Sequence, residues 1–124
     1  MTPAGTAAAS TFGVGHIAVT AAITAAFALA AAVWRLPRTM LVDHLAVTVL
    51  TFAAVLLWRL SANMPQLNDD GLPGFSANDW LAPVLTYVVL AGYAYLRGPA
   101  DPRRFAQTRA LATIAALAVN VLTI

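Results

Sequence analysis

Four long apolar runs dominate this chain: HIAVTAAITAAFALAAAVW (16–34), LVDHLAVTVLTFAAVLLW (41–58), WLAPVLTYVVLAGYAYL (80–96) and ALATIAALAVNVLTI (110–124). With 60% hydrophobic and only 10% charged residues, the chain carries far less charge than the quarter or so of a soluble domain. A hydrocarbon core of about 30 Å takes about 20 helical residues per crossing. A length of 124 residues therefore holds one domain and at most four or five spans. The expected fold is an all-α membrane protein, four transmembrane helices in an antiparallel bundle, with spans at about 16–34, 41–60, 79–97 and 102–124.

Local signals set those boundaries. The last run is short alone, but Asp101-Pro102 reads as an N-cap followed by proline at the first helical position, where its missing N–H costs nothing. A helix from Pro102 to Ile124 has 23 residues and is about 34 Å long. Ser76 and Asp79, three apart, form a capping box for the third span. Pro83 falls early enough in that helix to be tolerated, and Pro37 and Gly98-Pro99 end the preceding spans. Residues 1–15, uncharged and rich in Thr and Ala, lack the positive start of a secretory signal and read as a flexible tail. Residues 16–124 then form a single domain with a long connection at 61–78.

Charge placement gives an orientation. Every basic residue is Arg and every acidic residue Asp, with no Lys, Glu or Cys, so disulfides and thiolate chemistry are excluded. The sequence pI near 9.7 reports topology rather than a nucleic-acid partner. Six of the seven arginines, Arg35, Arg38, Arg97, Arg103, Arg104 and Arg109, flank the first and third connections; Arg59 alone lies at the other side. Under the positive-inside rule both termini and the 61–78 loop face outward, in what we expect to be a bacterial plasma membrane. The repeated WRL segments, Trp34-Arg35 and Trp58-Arg59, then mark opposite faces of the bilayer. Interfacial anchors are expected at Trp34, Arg35, Arg38, Trp58, Arg59, Trp80, Arg97, Arg103 and Arg104. AAVWRLPR and AYLRGPADPRR close the first and third spans similarly, which suggests two repeated helical hairpins.

Small residues predict where helices meet. Ala18, Ala22, Ala26 and Ala30 recur every four residues, a face for a neighbouring helix in this chain or a partner. Ala112, Ala116 and Asn120 form a similar stripe, whose amide should face protein rather than lipid. Asp43 is expected to pair with Arg38, and Thr48 and Thr51 continue the His44 face. His16 and His44 begin consecutive spans from opposite sides and cannot ligate one haem iron within the chain. Asn68-Asp69-Asp70-Gly71 lacks the alternating acids of a calcium loop and reads as a turn. Leu67, Asp69, Asp70, Leu72 and Phe75 are candidates for docking an external partner.

No nucleophile, base and orienting acid are arranged recognisably, and no carboxylate sits at mid-membrane. The expectation is a non-catalytic accessory or structural subunit without a cofactor, packed in the bilayer against a larger membrane complex, respiratory or otherwise electron-transferring. The alternative is a homo-oligomeric transporter or channel with a polar path along His44, Thr48 and Thr51. The orientation has a direct test, because the chain has no native cysteine. Asp69→Cys should react with an impermeant thiol reagent added outside intact cells, and Asp101→Cys should not; the reverse pattern inverts the topology.

Overall fold

The computed structural model describes residues 13–61, 77–99 and 101–123. They form four helices: α1 (Val14–Arg35), α2 (Leu41–Ser61), α3 (Ala77–Arg97) and α4 (Pro102–Thr123). Three helices are long and apolar enough to cross a membrane, over Val14–Arg35, Leu41–Ser61 and Pro102–Leu122. The third predicted span lies within α3, whose described apolar stretch, Leu81–Arg97, is shorter than the other three.

The termination signals act as read. Asp101 caps α4, its Oδ1 accepting from the Arg104 amide at 3.1 Å while its carbonyl takes the Phe105 amide at 2.9 Å. Gly98 ends α3 in the left-handed region, φ 63°, where its amide bonds the Ala94 carbonyl at 3.0 Å. At the end of α1, Leu36 bonds back to Ala32 at 2.8 Å and Pro37 opens a turn closed by Met40 N–H at 3.0 Å. The helix α3 continues through Pro83.

Each helix packs on two neighbours, α1 on α2 and α4, and α3 on α2 and α4, so that α1 and α3 lie diagonally across the bundle. Neighbours run antiparallel: the end of α1 bonds the start of α4 through Arg35 and Gln107, and the end of α3 bonds the start of α2 through Tyr93 and Asp43. Ala28, Ala32, Leu36, Val47, Leu90, Phe105 and Ala112 form the core, with the Tyr93 and Phe105 rings stacked at 5.6 Å. Outside it, Val19, Phe27, Val49, Val88 and Ile114 are all more than half exposed. An apolar exterior around threonine-bearing helices suits lipid and not water.

Within this chain α1 packs through a different alanine stripe from 18-22-26-30. Ala22, Ala26 and Ala30 are exposed and Ala18 is half-buried. The buried stripe contains Ala21, Ala25, Ala28 and Ala32, with Thr20 and Thr24. One helical step, about 100°, separates the two stripes, and turning the second inward shields both threonine hydroxyls from lipid. In α4, Ala112, Ala116 and Asn120 are all fully buried.

The cap yields a stability prediction. Asp101→Ala should lower stability in detergent by about 1 kcal/mol, and Asp101→Asn, which keeps an acceptor, by much less. The exposed Arg104–Asp101 ion pair at 3.6 Å contributes little. Thermal unfolding in which the Asn variant loses as much as the Ala variant would assign the effect to the ion pair instead.

Candidate functional site

Several hydrogen bonds that join different helices lie toward one end of the bundle. There α1 and α3 finish, α2 and α4 begin, and six of the seven arginines lie at or near the two short connections. Arg35, half-buried, donates from Nε to Gln107 Oε1 at 3.0 Å and again from Nη2, a fork that locks α1 to α4. Its guanidinium also lies 5.3 Å from the centre of the Trp34 ring. Arg104 reaches from α4 to the Arg35 carbonyl at 3.4 Å. One turn deeper, Arg109 donates to Tyr87 Oη at 3.2 Å and covers its ring at 4.5 Å.

Asp43 occupies the opposite seam. It is 7% exposed, and its Oδ1 accepts from the Tyr93 hydroxyl at 2.5 Å. The expected pairing with Arg38 is corrected, since Arg38 is exposed and the carboxylate bonds a residue 50 positions away instead. A tyrosine at this point stacks on Phe105 with its ring and satisfies the buried acid with its hydroxyl. Beside it, His44 places Nδ1 2.7 Å from the Met40 carbonyl. A cavity of about 330 Å³ opens between the two connections, with Asp43, Thr39 and Arg97 in its wall.

A second layer lies at mid-bundle. Thr24 is eleven residues before Arg35, Thr51 ten after Leu41, and Thr86 eleven before Arg97, so each sits about 15 Å from the arginine-rich end. All three are fully buried. Thr24 and Thr86 donate to carbonyls four residues back, at 2.8 and 3.0 Å, whereas Thr51 Oγ1 has no hydrogen-bond partner. Of the polar path proposed along α2, His44 and Thr51 are buried and Thr48 is half-buried, its hydroxyl bonded to the His44 carbonyl.

Near the far end, Arg59 and Asn120 each lie 18 residues beyond the start of their helices (59 − 41 and 120 − 102), about 27 Å along the axis. Arg59 is 1% exposed. Asn120 donates to the Ala116 carbonyl at 2.6 Å, and its Oδ1 is left unpartnered. Among the other anchors, Trp34, Arg38, Arg97, Arg103 and Arg104 are exposed at the arginine-rich end, and Trp58 is half-buried. Leu67, Asp69, Asp70, Leu72, Phe75 and Ser76 lie outside the described residues, as does the side chain of Trp80.

His16 near the start of α1 and His44 near the start of α2 stand at opposite ends of an antiparallel pair. Among the described residues no group of three His, Cys, Asp or Glu is placed to hold a metal ion. Tyr93 and Gln107 are the participants that sequence reasoning missed; one of three tyrosines in its helix and a single Gln near a helix start carry no periodic signal. No family model, curated protein or solved structure matches this chain.

The Asp43 seam can be tested by removing one oxygen. Tyr93→Phe keeps the stacked ring but strands a buried carboxylate, so it should cost about 1–3 kcal/mol. A double variant with Asp43→Asn should recover part of that loss in thermal unfolding; additive losses would show that the bond is not what holds the seam.

Proposed function

We propose that this chain is a non-catalytic integral membrane protein, an accessory subunit that packs against a larger membrane complex through the outer face of α1. One observation carries the reading. Ala22, Ala26 and Ala30 are exposed, while the chain's own core uses a different alanine stripe. Two small-residue faces on one helix permit two close helix contacts, and the second is met by no helix of this chain's described residues. Lipid gains nothing from such a face, because small residues matter only where another backbone approaches.

Four spans, with the arginine-rich end cytoplasmic and both termini outside, complete the proposal. The similar placement of Arg35 and Arg97 at the ends of the two diagonal helices supports a pair of repeated hairpins. A second reading, a homo-oligomeric transporter or channel, is favoured by Thr51 and Asn120, whose buried oxygens have no partner.

Introducing bulk at the stripe separates these readings. Ala26→Trp should leave a folded, membrane-inserted chain that no longer co-purifies in mild detergent with larger subunits from its native membrane. Val84→Trp, on the diagonal helix α3, should co-purify as the native chain does. A native chain that migrates alone as a homo-oligomer would overturn the accessory reading in favour of the transporter.

A further inference from the structure

The cavity at the arginine-rich end does not stand alone. A second cavity, of about 320 Å³, lies in the seam between α2 and α3, walled by Val42, Leu45, Ala46, Val49, Leu50 and Tyr93. The two share Val42, and the bond from Tyr93 to Asp43 ties the wall of one to the wall of the other. From Val42 to Val49 the apolar seam runs about 10 Å from the bundle end toward its middle. Together they place three polar groups, in an otherwise apolar wall at the level of the helix ends, beside an oily groove along the bundle.

Charge then selects an occupant. Thr39, Asp43 and Arg97 contribute a hydroxyl, a carboxylate and a guanidinium to the first cavity. Arg97 is exposed, and its guanidinium lies in the neighbourhood of the Tyr93 hydroxyl, at the junction of the two cavities. A guanidinium matches a phosphate diester, to which it donates in a planar fork. Asp43 uses only Oδ1 for Tyr93, so its carboxylate retains acceptor capacity for an ammonium N–H. A glycerol headgroup could offer that carboxylate only neutral hydroxyls, which match it less well than a charged ammonium N–H. A trimethylated amine brings the cation but no N–H to donate.

We propose that this site binds a glycerophospholipid with a primary-amine headgroup, of the phosphatidylethanolamine class. Its phosphate pairs with Arg97, its ammonium donates to Asp43, and one acyl chain lies in the groove along Leu45 and Val49. This inference is independent of the partner reading, because the α2–α3 seam lies across the bundle from the outward face of α1.

The test uses the full chain, purified in mild detergent and delipidated, then given phosphatidylethanolamine, phosphatidylglycerol or phosphatidylcholine with identical acyl chains. Native mass spectrometry should show one phosphatidylethanolamine retained preferentially, with a raised unfolding midpoint. Arg97→Ala, at an exposed position, should weaken retention about tenfold, as loss of a charge-assisted bond implies. Val49→Trp, which fills the groove, should also lose the lipid, and Ile114→Trp on the lipid-facing side of α4 should not. Asp43→Asn should reduce the preference for ethanolamine over choline. Equal retention of all three lipids, or retention unchanged in both the Arg97→Ala and Val49→Trp chains, would reduce the site to ordinary boundary lipid; preference for phosphatidylglycerol would overturn the headgroup assignment.

Discussion

In hydrocarbon no water is available to take an orphaned N–H or C=O, and this chain meets that constraint one helix at a time. Its backbone is satisfied by helix formation. Much of its polar side-chain content is satisfied by the same helices: Thr24, Thr48, Thr86, Thr108, Thr113 and Asn120 all donate to the carbonyl four residues back. This back-bonding leaves a helix surface that is nearly apolar toward its neighbours. Contact between helices is then left to shape, which explains a core built from Ala28, Ala32, Val47, Leu90 and Ala112 with one aromatic pair as its largest piece.

Shape alone orients apolar helices weakly, since alanine faces fit in several registers. Polar contacts across the seams help to fix register. The Arg35 fork to Gln107 and the Tyr93 bond to Asp43 join antiparallel neighbours near one end, and the Arg109 contact with Tyr87 joins a third pair nearer the middle. Three of the four seams are pinned this way, and the fourth, α1 against α2, is held by a connection of only five residues, 36–40. The same end carries most of the positive charge, so the groups that would orient the protein across a membrane also set how its helices meet.

What was legible in the sequence follows from this division. Helix ends were legible because their devices are local: Asp101-Pro102 caps, Gly98 terminates, Pro37 turns. Helix faces were less so. In α1 nearly every position is small or apolar, so helical steps of three or four fit 18-22-26-30 as well as 21-25-28-32, and the inward demand of Thr20 and Thr24 decides between them. In α4 the polar Asn120 marked the stripe directly, and Ala112 and Ala116 are buried with it. Pairings across the bundle were not legible: Asp43 has an arginine five residues away in sequence, yet the fold brings it a tyrosine from 50 residues away.

The ends of the two diagonal helices carry arginines in different surroundings. The offset that carries Arg35 onto Arg97 is 62 residues, and the same offset carries Leu45 onto Gln107 (107 − 62 = 45). In the α1–α4 seam, Arg35 thus meets an amide that takes two of its N–H groups and closes the space. In the α2–α3 seam the corresponding position is Leu45, which has no acceptor to give and instead walls an apolar groove. Arg97 is left exposed beside a cavity, with Asp43 and Tyr93 already bonded to each other. Arg35 is thus a clamp between two helices, whereas Arg97 stays exposed beside a cavity.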